Sequence, residues 1–503
     1  MELSLLIEEL RQLRAADQNA LDIYTDLQSK VQSKKFLFPL QRLVRDEAKH
    51  VLMEKEIMAI LHEEPRVFFA GKKQAVEGFK EIFDRAGVHF TEGSTEQLFS
   101  KRYRGHRFDL VLLDLDSGNR VKSFEGIVGL VRRIRKVHKK VVVLSSLRDL
   151  RSIRAAYLAG TSDYILKPFN RRELGARILA VLKGQKRICC LGGGTGLFTL
   201  LSALKSLPDV LLISLVNMSD DGGSSGRLRA SFGILPPGDV RRSLVALSNA
   251  PEVMNKLINY RFDRGVELRD HPLGNLLLTG LIGMKGTMFE AVRAMGDILN
   301  IQGIVIPITQ TITELAARFE NGKVVRGESR ISLCTGRDPA LRIRQVWHEP
   351  SAVCDANAYA SILHADSVII GPGDLFTSVI TNLVIKKVSE AIALTRAKKI
   401  YICNLMTRPG ETSGLDAREH VKRIIGVLGK DLLNYALVSN TQFSKAAIAR
   451  YAKLDQHPVL MGEEKGFEGI TRAKRIFADI ADQKVLVRHD LQKLRNRLLS
   501  ILS

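Results

Sequence analysis

Several short stretches of the chain gather glycines, hydroxyls and carboxylates in patterns suited to anion chemistry. In LGGGTG (191–196), Gly192, Gly193, Gly194 and Gly196 lack the Cβ atoms that would keep a ligand off the backbone, and Thr195 adds a hydroxyl. The stretch follows an apolar run and opens a helical one, so free N–H groups and the positive end of a helix dipole meet at the turn. A diphosphate suits that environment. The spacing is neither the dinucleotide fingerprint G-x-G-x-x-G nor a P-loop, which needs a following lysine. Taken alone, the stretch reads equally well as a tight strand–helix turn without a ligand.

VNMSDDGGSSGRLR (216–229) runs Asp220 and Asp221 into two glycines, then two serines, another glycine and two arginines. Acids at the edge of an anion nest have three uses. They cap a helix, they hold a magnesium ion that bridges phosphates, or one of them orients an attacking hydroxyl as a base. The spacing leaves all three open. GPGDLFTSVI (371–380) offers a second glycine turn, with Asp374, Thr377 and Ser378 where they could also cap a helix, and NLMTRPGETSG (404–414) offers an Asn and a Thr. DHPLGNLLLTGL (270–281) places His271 and Asn275 ahead of an apolar helix. A lone histidine is more often a hydrogen-bonded structural residue, and no base chemistry is assigned to His271.

These stretches follow short buried-type runs such as RICCLG, LLISLV and DSVII, separated by segments of helical period. The alternation predicts an α/β fold with a parallel sheet, in which ligands collect outside the carboxyl ends of the strands. The loops therefore point at one site in a domain spanning 186–503. Ahead of it, residues 65–184 carry RVFFA, FDLVLLDLD, KVVVLSS and SDYILKPF, again alternating with helical segments. Residues 1–64 read as amphipathic helices, a helical cap or dimerisation arm.

The bulk composition sets limits. At 503 residues, with 45% hydrophobic and 26% charged residues, the chain has the makeup of a globular protein of two or three domains. It holds no apolar run long enough to cross a bilayer, and acids interrupt the apolar N-terminal stretch, so neither a membrane span nor a secretory signal is expected. The five cysteines match no zinc spacing and read as reduced thiols in a cytoplasmic protein. The net charge of +22 invites nucleic acid as a partner. No nucleic-acid motif accompanies it, however, and stretches such as VRRIRKVHKK (131–140) read as solvated helix faces, so nucleic acid is not expected.

Two resemblances sharpen this reading. Residues 65–184 resemble a response-regulator receiver, a flavodoxin-like α/β domain, with Asp114 at the phosphoacceptor position, Ser145 at the hydroxyl position and Lys167–Pro168 near the end. A receiver needs acids after its first strand to hold magnesium; here Ala70, Gly71, Lys72 and Lys73 follow, and lysine coordinates no metal. The expectation is a degenerate receiver used for protein contacts. An atypical response regulator phosphorylated on Asp114 is the alternative.

GGGTG, SDDGGSSGRLR, LPPGDVRRSLVAL, HPLGNLLL, GES, GPGDLFTSVITNL, NLMTRPGET and VRHD occur in the order of another family. The chain resembles the 2-phospho-L-lactate transferase-like proteins, and closely their bacterial branch of gluconeogenesis factors. The resemblance implies a Rossmann-like nucleotide-binding fold. It implies a UDP-sugar ligand of the UDP-N-acetylglucosamine type, or another nucleotide diphosphate, in a regulator of cell shape during gluconeogenic growth. The transferase branch instead implies magnesium-dependent phospholactyl transfer from a guanosine-diphosphate-linked donor to a deazaflavin. On either reading Gly192 to Gly196 with Thr195 would hold the diphosphate, and Asp220 and Asp221 would sit at the catalytic or metal side. Asn275, Gly371, Gly373 and Asn404 would line the pocket, with Tyr451 and Arg488 closing over the ligand. Asp374 stands where the family usually has a serine and adds a negative charge near the expected diphosphate. A protein partner for the receiver-like and helical segments, and a homo-oligomer, complete the expectations.

Overall fold

The computed structural model describes residues 19–22, 25, 44, 65–71, 83, 86–100, 103, 108–116, 123–334, 338, 340–462 and 464–502. The helical reading of residues 1–64 thus lies almost wholly outside the described residues, as do Lys72 and Lys73. The chain divides into two compact units: residues up to 145 with 159–161, and residues 146–158 with those from 162 onward.

In the first unit, β1 (Arg66–Ala70), β2 (His89–Gly93), β3 (Leu110–Asp114) and β4 (Val141–Ser145) are parallel. β1 lies between β2 and β3, and β3 pairs onward with β4. β3 and β4 are buried along their whole length, which is why they read as unbroken apolar runs. Helix α1 (Phe124–Arg135) starts at Ser123, whose hydroxyl accepts the Gly126 N–H. It buries Ile127, Val131 and Ile134 and leaves Arg132, Arg133 and Arg135 in solvent. That part of the basic charge is indeed a solvated helix face. Asp114, at the end of β3, is fully buried and accepts the Asp116 N–H at 3.0 Å.

The second unit opens with β5 (Asp163–Leu166) and α2 (Arg171–Lys183). Its main sheet uses β6 (Lys186–Gly192), β7 (Val210–Val216) and β8 (Ile304–Pro307). A separate antiparallel sheet follows, from β9 (Glu314–Phe319), β10 (Val324–Arg326) and β11 (Ile343–Glu349), in the order β10-β9-β11. The main sheet resumes with β12 (Ser367–Ile370), β13 (Lys398–Ile402), β14 (Tyr435–Ser439) and β15 (Lys474–Ala478). All seven of its strands are parallel, in the order β15-β14-β13-β12-β6-β7-β8. This is the Rossmann-like α/β arrangement the sequence predicts. Cys189 and Cys190 sit in the middle of it, buried and unpaired.

Strand order reverses between β6 and β12: the chain moves from β6 to β7 and β8 on one side, and from β12 to β15 on the other. Such a switch point leaves a crevice where two loops diverge. Helices α3 (Gly194–Leu204), α4 (Gly223–Phe232), α5 (Gly238–Leu247), α6 (Leu273–Lys285) and α7 (Met288–Ile298) supply the layer on the β6–β8 side. Leu200, Leu204, Leu244, Val292 and Met295 form part of the core there.

A buried ion network joins α2 to α7. Arg177 binds Asp163 with two nitrogens, at 2.8 and 2.7 Å, and approaches Glu173 at 3.6 Å; Glu173 meets Arg293 at 2.6 Å. All four side chains are at most 7% exposed. Burial would push the Asp163 carboxyl up, but the Arg177 guanidinium overcomes it and holds the group well below the usual carboxylate range. Among the described residues no helix is long and apolar enough to cross a membrane.

Candidate functional site

The turn after β6 is GGGTG and the turn after β12 is GPGD, and the two meet at the switch point. Their approach is close enough to dictate residue type. A Cβ on Gly196 would lie 2.2 Å from the Pro372 carbonyl oxygen, and one on Gly193 would lie 2.6 Å from an Asp239 carboxylate oxygen. Gly194 has φ of +62°, in the left-handed region. Against this double turn lies a cavity of about 510 Å³.

Gly193, Gly194, Thr195, Gly196, Gly373, Asn404, Tyr451, Arg488 and Asp220 line the cavity, so the structure brings most of the sequence-predicted residues together. Gly192 and Gly371 stand one step back, as the last strand-side residues of the two turns, and Gly371 has φ of +79°. Asn275 is a correction. It is 2% exposed in α6, donating to the Ser224 hydroxyl and accepting from Arg241 Nε, both at 3.0 Å. It ties α4, α5 and α6 together and lies outside the cavity wall. His271 is its neighbour in structure and in role: its ring meets the Ser224 hydroxyl at 2.8 Å and Arg227 Nε at 3.1 Å.

The two opening aspartates diverge. Asp220 faces the cavity and accepts the Gly222 N–H at 3.0 Å. Asp221 is outside the wall; its carboxylate accepts the Ser329 N–H at 2.7 Å at the start of α8 (Glu328–Ser332). Gly327 permits that contact, since a Cβ there would lie 2.6 Å from the other oxygen of Asp221. Of the three uses open to these acids, backbone capping is the one Asp221 performs.

Asp220 shares the cavity with two acids that motif reading did not select. Asp239, from LPPGDVRR, is 6% exposed, and its carboxylate accepts the Gly194 N–H. Arg242 reaches it at 3.4 Å. Burial, then the nearby Asp220 charge, pushes Asp239 up to about 6. Glu328, from GES, accepts from the Ser219 hydroxyl at 2.7 Å and the Asn217 amide at 3.3 Å. Separation from bulk water, then repulsion from Asp220 and Asp239, raises it well above the usual carboxylate range. Like charges gathered in one wall keep protons that isolated carboxyls would lose.

The opposite wall is balanced. Asp374 pairs with Arg408 at 3.0 Å and accepts from the Asn404 amide at 3.4 Å. Arg408 also reaches Glu411 at 3.6 Å, while Glu411 accepts from the Thr377 hydroxyl at 3.0 Å. Burial and the Asp374 charge push Glu411 up to about 7. The extra charge that Asp374 brings is therefore answered by Arg408 within the same loop pair. Thr377 and Ser378 belong to a π-helix (Leu375–Ile380) that follows the GPGD turn. At the remaining rim, the Tyr451 hydroxyl accepts the Val487 N–H at 2.9 Å, which sets Tyr451 beside Arg488.

Asp239, Glu328, Arg242 and Arg408 are thus site residues that sequence reasoning missed. Their motifs were visible, but nothing local shows that PPGD and GES fold onto the GGGTG turn. Among the described residues no group of three or more His, Cys, Asp and Glu side chains is arranged to hold a metal ion alone. Magnesium, however, is held by one or two carboxylates when substrate phosphates complete its shell. The mutual repulsion among Asp220, Asp239 and Glu328 is what such a cation would relieve. Asp220 and Asp239 fit the part of ligands, and the ion would neutralise diphosphate charge there.

Comparison with known proteins gives two family matches. The family described as 2-phospho-L-lactate transferase CofD matches residues 188–475, and the response regulator receiver domain matches residues 72–179. A "Gluconeogenesis factor" from Bacillus subtilis is 37% identical, over 63% of this chain and 99% of its own length. A "Putative gluconeogenesis factor" from Thermotoga maritima is also 37% identical, over 61% of this chain and 96% of its own. A crystal structure of a upf0052 family protein from Bacillus halodurans is 36% identical, with a TM-score of 0.59 covering 63% of this chain and 99% of that one.

Proposed function

The chain belongs to the 2-phospho-L-lactate transferase CofD family, with a receiver domain ahead of that region and gluconeogenesis factors among its relatives, and on that footing we propose that it is a nucleotide-sugar-binding regulator. The ligand proposed is of the UDP-N-acetylglucosamine type, and the setting is cytoplasmic control of cell shape during gluconeogenic growth.

One observation carries this reading: the cavity at the switch point. Two glycine turns present backbone at its floor, and Tyr451 and Arg488 stand at its rim. A diphosphate would lie over Gly193–Gly196 at the start of α3, where the helix dipole favours negative charge. Its volume falls in the range of small-molecule sites, roughly 300–1,000 Å³. Arg488 supplies a cation and Tyr451 a ring face for a base or sugar. Isothermal titration with UDP-N-acetylglucosamine, with and without magnesium, tests the reading. Saturable heat supports it, and no heat at millimolar ligand in both conditions overturns it.

The acid group favours a second reading, magnesium-dependent phospholactyl transfer from a guanosine-diphosphate-linked donor to a deazaflavin. Asp220 and Asp239 would hold the ion, which would neutralise the diphosphate charge of the donor. Turnover of that donor–acceptor pair, lost in Asp220→Asn and Asp239→Asn, would establish it. Binding without turnover would leave the regulator.

A further inference from the structure

A second, larger cavity lies on the other side of the π-helix. It measures about 1,050 Å³ and is lined by β11, the π-helix, the 383–389 segment and α9 (Ala417–Leu428). Thr377 and Ser378 face the first cavity, while Phe376 and Ile380 face this one. It is an open groove with its own chemistry.

Its wall on the β11 side consists of six consecutive residues, Arg342 to Trp347. Side chains alternate between the faces of a strand, so one face cannot supply six in a row. The groove therefore runs along the edge of β11. That edge is the outer one: β11 ends the sheet order β10-β9-β11, and among the described residues it pairs with β9 alone. An unpaired strand edge beside a groove is the geometry of strand addition by an extended peptide.

Chemistry then selects the peptide. Ile343, Val346, Phe376, Ile380 and Val427 give the groove an apolar floor. Arg342, Arg344, Lys386, Lys387, Lys422 and Arg423 surround it, against one acid, Glu320. Lys387 is engaged by Glu390, and Lys422 and Arg423 by Glu419. The side chains of Arg342, Arg344 and Lys386 have no carboxylate partner among the described residues, Arg342 meeting the Glu320 carboxylate only through its main-chain N–H. Arg344 is exposed at a register shift of the β9–β11 ladder, where the ladder turns a side chain out. A second copy of this edge would set cations against cations, so self-pairing is disfavoured.

We propose that the β11 groove docks an extended segment of a partner protein in which acidic residues alternate with apolar ones. The segment adds a strand to β11, seats its apolar side chains on the floor and aims its carboxylates at Arg342, Arg344 and Lys386.

The chain carries a reporter for this test. Its single tryptophan, Trp347, lines the groove and is held by its Nε1–H donating to Glu349 at 2.7 Å. Short soluble peptides alternating Glu with Val, Ile or Phe are titrated into the full chain while Trp347 emission is followed. The expected result is a saturable change, weakened by added salt. It is lost when one set of alternate peptide amides, the set facing β11, is N-methylated, and is weakened about tenfold or more in a folded Arg344→Glu/Lys386→Glu variant. No saturable change overturns the proposal. So does equal binding by alternating Lys peptides, or binding that stays undiminished when each of the two sets of alternate amides is methylated in turn, and neither of those arms requires a protein variant.

Discussion

Asp239 carries much of the cavity's electrostatics. Its carboxyl titrates at about 6 in the folded chain, against roughly 4 when unfolded. The folded state therefore holds the extra proton between those values, and stability falls as pH rises from about 4 through 6. Above that window the ionised group is a standing cost. Asp239→Asn keeps an amide oxygen for the Gly194 N–H, so at pH 8 the ligand-free protein should gain about 1–3 kcal/mol. Urea melts check this; a loss of stability would count against the assignment. The same charges oppose an incoming diphosphate. Without magnesium, UDP-N-acetylglucosamine should bind more tightly at pH 5.5 than at pH 7.5, by about threefold or more, and magnesium should flatten the difference. Titration calorimetry at the two pH values reads it directly.

At the scale of elements, the meeting of two turns outweighs either turn alone. Gly196 is needed because the Pro372 carbonyl sits where its Cβ would be. Gly196→Ala should cost more than about 2 kcal/mol in thermal or urea melts, since backbone on both sides must move. Gly426, in α9, meets nothing within 4 Å of a Cβ, so Gly426→Ala should instead gain up to about 1 kcal/mol. The contrast separates glycines required by packing from one that is not. In the first unit, Asp114 ends a fully buried strand, and in the sequence Gly71 and two lysines rather than an acid pair follow β1. Incubation with acetyl phosphate and magnesium should leave Asp114 unmodified by intact-mass measurement; a phosphorylated chain would restore the response-regulator reading.

For the molecule as a whole, the notable assignment is that β5 and α2 belong to the compact unit that holds the cavity. The Asp163–Arg177–Glu173–Arg293 network shows how they are fastened there. Arg177→Ala would leave the buried Asp163 carboxylate without its bidentate partner, while Glu173 keeps Arg293, and should destabilise that unit by about 3–5 kcal/mol. A change below about 1 kcal/mol would show the network to be incidental. Asp163 also gives acid sensitivity a direction: its folded pKa is depressed, so its contribution is present above about 4 and lost as pH falls below that.

What the sequence determined by itself follows from local physics. Parallel strands buried on both faces read as unbroken apolar runs, glycine turns at their ends mark close backbone approach, and long motifs in a specific order identify the family. Asn404, Tyr451 and Arg488, far apart in the chain, could be named in advance because the family resemblance carries them. What tertiary structure alone decided is which side chains face the cavity. Asp220 and Asp221 are adjacent and chemically alike, yet one lines the wall and the other caps α8. Asn275 lies in a conspicuous motif but turns inward to Ser224 and Arg241. Asp239 and Glu328 enter only because PPGD and GES fold across the GGGTG turn, and their proton affinities exist only once burial and Asp220 surround them. Residue type is local, whereas orientation, burial and charge repulsion are properties of the packed chain.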